Sequence, residues 1–280
     1  MPHYRLGLVF AMQEEQHGLE QFLVDKQVHQ HGKRQYLTGT LWGISCVCVL
    51  SGIGKVAAAT TLTSLINDFK VNHIVLSGVA GAADASLKVG DIVIADELLQ
   101  HDMNAFPIFP KFEIPRSGKS RFATHTALSE QLRHAAHAFL SSDMQQQISA
   151  PSRAQFALHQ AQIQQGLIGS GDQFIQDLSV LAALKRELPD LLAVEMEGAA
   201  IAQVCDDFEI PFAIMRTISD TANEHAHHDF KQFINEVAAR KGTLLIPAFS
   251  VERSQLVLYE LHALLKAGRI PRIPVYLDSP

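Results

Sequence analysis

The sequence predicts an α/β fold, a central sheet with helices on its faces, and two observations lead there. Short apolar, β-branched runs bounded by Gly, Ser, Asp or Pro alternate with helix-length amphipathic segments. With 280 residues and 47% hydrophobic content, the chain is also long enough to bury the core that such a sheet requires.

Strands are expected at 4–11, 41–51, 72–78, 91–97, 162–169, 191–194 and 211–216. Helices with one buried stripe are expected at 55–69, 126–140, 177–187, 197–206 and 229–239. Residues 100–121 hold Pro107, Pro110 and Pro115 among Phe106, Phe109 and Phe112 without period, so they read as a long surface loop. Beyond residue 240 a fresh strand (242–249), a helix (251–268) and a strand (273–277) follow, a βαβ fragment that looks like an incomplete unit. The expected division is therefore 1–240 for the main domain and 241–280 for the fragment.

Composition narrows the function. A net charge of −6 supplies no field to hold a polyanion, so neither nucleic acid nor a membrane surface is the expected partner. Small neutral or cationic ligands fit better. Cys46, Cys48 and Cys205 lie on apolar runs without CxxC spacing and read as reduced core residues, which points to a reducing compartment. The N-terminal residues are too polar for a signal peptide, and no apolar run approaches the ~20 residues of a membrane span, so a cytoplasmic location is expected.

Several strand ends carry residues capable of chemistry. Ala11-Met12-Gln13-Glu14-Glu15 ends the first strand in consecutive acids. They suit either the first turn of a helix or a general base for water. Ser51-Gly52-Ile53-Gly54-Lys55-Val56-Ala57 superficially matches GxGxxA. It lacks the acid of a dinucleotide fold on the next strand, and Val56 stands where a phosphate loop needs Ser or Thr. A backbone-lined turn beside a sugar remains possible there, and the glycines of Ser77-Gly78-Val79-Ala80-Gly81 would also admit a ligand.

Ser170-Gly171-Asp172-Gln173-Phe174-Ile175, Val194-Glu195-Met196-Glu197-Gly198 and Arg216-Thr217-Ile218-Ser219-Asp220 are the most telling. Two acids around a methionine at a strand–helix junction need polar partners, and a sugar diol would serve. Asp220, at the carboxyl end of an apolar strand, suits a helix cap, a salt bridge to Arg216, or an acid of raised pKa. His225, His227, His228 and Asp229 imitate part of a metal motif, but Phe230 stands where the next ligand is needed, so they are expected to be solvated loop residues. No metal and no cofactor is expected.

Taken in order, these motifs resemble the 5′-methylthioadenosine/S-adenosylhomocysteine nucleosidases of the nucleoside phosphorylase superfamily, over residues 5 to about 239. The markers are Ala-Met-x-Glu-Glu (11–15), Ser-Gly-Ile-Gly-Lys-Val (51–56), Lys-Val-Gly-Asp (88–91), Ser-Gly-Asp-x-Phe-Ile (170–175), Val-Glu-Met-Glu (194–197) and Ile-Ser-Asp (218–220). The resemblance implies a single three-layer domain with a central mixed β-sheet flanked by helices. It implies that Glu15 activates water, Glu197 holds the ribose hydroxyls and Asp220 protonates nitrogen 7 of the leaving adenine. Phe174 would stack on the base and the backbone of Ile175 read its edge, with Ile53, Val79, Met196 and Phe230 around the sugar and 5′-thio group. Position 79 is Val where some members carry Ser, which removes no catalytic group. Phe106 would be donated across a homodimer by the proline-rich loop.

The chemistry agrees with those roles. An oxocarbenium-like transition state needs an acid on the leaving base, carboxylate charge near the sugar and an activated water. A phosphorylase would instead need cations, and the strand ends at Glu14-Glu15 and Val79 offer none. Residues 242–280, with Leu-Leu-Ile-Pro-Ala-Phe-Ser-Val-Glu-Arg-Ser-Gln (244–255), resemble part of a β-CASP metallo-β-lactamase-type ribonuclease without its upstream metal motif. The chain therefore reads as a fusion in which that piece replaces the end of the nucleosidase's terminal helix. The competing readings are a phosphorylase, which would release base only with phosphate, and an impaired fusion product that only binds adenosine analogues.

Overall fold

The computed structural model describes residues 4–16, 19–148, 150–175 and 177–220. The expected helix 229–239, the fragment 241–280, Phe230 and the His225–His228 cluster lie outside the described residues. The chain opens with β1 (Leu6–Phe10) and the short helix α1 (Gln13–Gln16), then the antiparallel strands β2 (Val24–His31), β3 (Arg34–Leu41) and β4 (Ile44–Leu50). Helix α2 (Lys55–Asn67) leads to β5 (His73–Ala82) and β6 (Ile92–Gln100). After the long loop come β7 (Phe122–Ala123), α3 (Thr126–Ala138) and the short helices α4 (Met144–Gln147) and α5 (Ala150–Gln155). The described fold ends with β8 (Ile163–Ser170), α6 (Leu178–Glu187), β9 (Leu191–Glu195), α7 (Gly198–Asp207) and β10 (Phe212–Asp220).

Two expectations are corrected. The strand expected at 41–51 is β4, starting only at Ile44, because Trp42 (φ 47°) and Gly43 (φ 84°) form a left-handed turn that joins it to β3, a strand over 34–41 that the sequence reading did not place. The hairpin strand β2 was not foreseen at all: Val24 and Val28 are its sole aliphatic residues, both exposed, so the alternation that marks a half-buried strand is missing.

The strand order is β10-β6-β8-β9-β5-β1-β4-β3-β2, and β10 also pairs with β5. That extra pairing closes β10, β6, β8, β9 and β5 into a ring, from which β1 to β4 extend as an open sheet. The sheet is mixed, as expected. β1 runs parallel to β4 and β5, β5 parallel to β10, and β8 parallel to β6 and β9, whereas β10 and β6 are antiparallel. Along β4 the residues alternate between two cores. Val47 and Val49 join Leu62 and Leu65 of α2, while Cys46 and Cys48 join Leu37 and Leu41 of β3. A strand buried on both faces reads as one continuous apolar run. Parallel pairing sends β1, β4, β5 and β10 out at one end of the sheet. Glu15 follows β1 and Asp220 ends β10, while the Glu195–Glu197 motif ends and follows β9, whose last residues pair antiparallel with the end of β5.

Candidate active site

The site is organised by Arg216, a cation in the middle of the apolar strand β10 with none of its surface exposed. A charge that deep requires opposite charge, and three carboxylates converge on it. Its Nη2 donates to Glu195 in a short contact and to Glu197 Oε2 at 3.2 Å, and its Nη1 lies 3.9 Å from Glu15 Oε1. Burial alone would lower the guanidinium's pKa, but the charges of Glu195, Glu197 and Glu15 raise it overall. Nε and Nη1 have no hydrogen-bond partner among the described residues.

Glu15 takes the helix-start place that its motif allowed and also faces the buried cation. It is the third residue of α1, and its Oε2 accepts the amides of Met12 (3.0 Å) and Ala11 (2.7 Å), as in a capping box. Its Oε1 accepts the Val79 amide at 3.0 Å and faces Arg216. Gly78 explains how the two ionic groups fit beside β5: a Cβ there would overlap both Arg216 Nη1 and Glu15 Oε1.

The two acids around Met196 have different tasks. Glu195 is spent on the scaffold, accepting the Ser170 hydroxyl and the amides of Glu197 (3.1 Å) and Gly198 (2.9 Å) at the start of α7. Glu197 spans the site. Its Oε1 accepts the Gly54 amide at 2.9 Å and its Oε2 the Arg216 guanidinium. Burial, then repulsion from Glu195, push the Glu197 carboxyl up to about 7 against the pull of Arg216 and the Gly54 amide.

Asp220 stands at the end of β10, opposite Gly81 of β5 after a bulge at Ser219. Its Oδ2 accepts the Ser219 hydroxyl at 3.0 Å, while burial raises its pKa against that bond. The salt bridge to Arg216 that its spacing allowed does not form: Arg216 is taken by Glu15, Glu195 and Glu197. Gly81 also pairs with Val194 of β9, so Asp220 and the Glu195–Glu197 turn flank the same stretch of β5 that holds Glu15 through Val79.

Of the remaining expected residues among the described ones, Ile53 follows β4, Val79 lies in β5, Phe174 and Ile175 follow β8 and Met196 follows β9. Ile53 (40% exposed), Val79 (37%) and Phe174 (54%) are open to solvent, Ile175 is buried and Met196 half-buried between the two acids. Phe106 is 74% exposed in the long loop. In the sequence motifs Arg216 figures only as a possible partner of Asp220, and Glu195 only beside Glu197 as a possible partner of a sugar diol. The signal was available, since an arginine inside a strand of Phe, Ala, Ile and Met must be buried among acids. The expectation that no cation stands near Glu15 is likewise corrected. One does, but three carboxylates occupy it.

Residues 5–250 match the model of the phosphorylase superfamily. A 5′-methylthioadenosine/S-adenosylhomocysteine nucleosidase of Geobacillus thermodenitrificans is 33% identical over 251 residues, 90% of this chain and 98% of that protein. The nucleosidase of Actinobacillus succinogenes is 35% identical over 243 residues, 86% of this chain and 96% of its own. Among solved structures, the Neisseria meningitidis nucleosidase in complex with methylthio-immucillin-A superposes with a TM-score of 0.70 at 33% identity, covering 82% of this chain and 91% of that one. The futalosine hydrolase of Helicobacter pylori superposes with a TM-score of 0.68 at 32% identity, covering 84% and 92%. On the order of its motifs, its fold and these similarities, the chain belongs to the 5′-methylthioadenosine/S-adenosylhomocysteine nucleosidases of the phosphorylase superfamily.

Proposed function

We propose that this chain hydrolyses the N-glycosidic bond of 5′-methylthioadenosine and S-adenosylhomocysteine, releasing adenine and the 5′-thioribose product. The observation that carries the reading is the convergence of Glu15 and Glu197 on one buried guanidinium beside the strand end that bears Asp220. Glu15 Oε1, which accepts the Val79 amide at 3.0 Å and lies 3.9 Å from Arg216 Nη1, is the carboxylate proposed to meet the attacking water. In this reading Glu15 takes a proton from that water as its oxygen bonds to the anomeric carbon. The bond to nitrogen 9 breaks, and Asp220 delivers a proton to nitrogen 7 of the departing adenine. Glu197 holds the ribose hydroxyls, Met196, Ile53 and Val79 line the sugar, and Phe174 and Ile175 receive the base. One positive charge against three carboxylates stabilises a cationic sugar and repels phosphate, which favours water as the acceptor.

Phe106 is assigned to a second copy's site across a homodimer, which its 74% exposure on an apolar loop supports. A cytoplasmic location is proposed on the reduced, buried cysteines. Residues 241–280 are proposed as an appended β-CASP-like element without catalytic groups. The test is incubation with methylthioadenosine in phosphate-free buffer, scoring free adenine and separating free thioribose from its 1-phosphate. Adenine release that requires phosphate would replace the hydrolase reading with a phosphorylase.

A further inference from the structure

A second polar cluster, outside the three-carboxylate site, joins the loops around it. Lys55 Nζ, at the first residue of α2, donates to Asp102 Oδ1 at 2.6 Å and to Gln100 Oε1 at 3.0 Å. Asp102 Oδ2 accepts the Asp172 amide at 2.9 Å, and Asp172 Oδ1 accepts the Lys55 amide at 2.8 Å, which closes a ring of three bonds. Gln100 passes the connection to α7 by donating to Gln203 at 2.7 Å. The Lys55 and Asp102 side chains are only 16% and 25% exposed, so this pair is better shielded than an ordinary surface salt bridge.

The ring ties together three chain segments that are distant in sequence. These are the turn before α2 that carries Ile53, the loop after β6 that carries Phe106, and the turn after β8 that carries Phe174 and Ile175. We propose that Lys55 and Asp102 are positioning residues for nucleoside binding, clasping these three segments in the arrangement that receives base and sugar. The inference rests on the nucleosidase reading for the identity of the ligand. Asp102 must be a carboxylate for this task, because both oxygens accept bonds. An asparagine offers one acceptor and turns its amide hydrogens toward a donor. Neither residue is assigned to the reacting atoms, so their loss falls on binding and not on bond breaking.

The test compares wild type, Lys55→Met, Lys55→Arg and Asp102→Asn by steady-state adenine release and by calorimetric titration with adenine. Lys55→Met and Asp102→Asn are expected to raise KM and the adenine Kd by about tenfold or more, with kcat within about threefold. Lys55→Arg, which keeps the charge, is expected to recover most of the loss. Unchanged KM and Kd in both disrupting variants, or a fall in kcat at constant KM, overturns the clasp. If Lys55→Met does not fold, the nearly isosteric Asp102→Asn decides alone. A wild-type chain that binds adenine but releases none sinks the nucleosidase reading while the Kd comparison still judges the clasp, and a wild type that does neither overturns both.

Discussion

The carboxylate of Glu197 accepts the backbone amide of Gly54 at 2.9 Å across 143 residues of sequence. Helix α2 has no side-chain cap of its own, so an acid from the start of α7 serves its positive end. The same oxygen pair meets Arg216, and structure and chemistry therefore draw on one side chain.

Glu197→Gln is expected to fold and to lose about two orders of magnitude or more of kcat for adenine release. Its stability should also change with pH in a particular way. The native carboxyl is raised from its ordinary 4.5 to about 7, so the folded chain keeps a proton that the unfolded chain gives up. That contribution is fully present below about pH 4.5 and is lost as pH rises through about 7. Wild-type Tm should therefore fall relative to the variant over this window and run parallel to it above. Parallel curves throughout would contradict the raised value.

Asp220→Asn and Glu15→Gln remove the proposed acid and base without changing shape. Each is expected to lower kcat by about 10² to 10⁴ while retaining the wild-type circular dichroism spectrum. Near-normal turnover in either variant would remove that residue from the mechanism.

Arg216→Met leaves Glu15, Glu195 and Glu197 buried together without their common counter-charge. A loss of about 3 to 5 kcal/mol of unfolding free energy is expected in denaturant titrations. Arg216→Lys should fold better than the methionine variant but remain nearly inactive, because one ammonium cannot reproduce a two-sided fork. Equal stability of wild type and Arg216→Met would show the cluster to be dispensable for folding.

Gly78→Ala tests the steric argument. The added methyl would sit on Arg216 Nη1 and Glu15 Oε1 and force both apart. A loss of about 10² in kcat/KM is expected, and crystallography of the variant should show the arginine or the glutamate displaced. Wild-type kinetics would mean that the gap beside β5 has no catalytic importance.

The sheet, the helices and the acids were legible because each left a local mark. β1 and β10 are short apolar runs, α2 follows a glycine turn, and Glu15, Glu197 and Asp220 sit where such runs stop. What escaped depends on contacts between remote segments. Nothing near Arg216 in sequence announces that its partners come from residues 15, 195 and 197. Asp172, 117 residues from Lys55, bonds the first amide of α2, another long-range choice invisible to spacing. β2 escaped for the opposite reason, having too few apolar residues to write any pattern.

The bulge in β10 gives Asp220 a freedom that Arg216 lacks. Upstream, residues 215–217 are hydrogen-bonded to neighbours on both sides, β5 and β6, so the guanidinium's depth is locked by two ladders. Ile218 still bonds Gly90 and Asp91 on the second side, and past it only β5 continues, where the surplus Ser219 breaks the register between the final carboxylate and the ladder behind it. Evolution or a designer could thus retune where the proposed proton donor aims, lengthening or trimming that last step, and leave the ionic hub untouched.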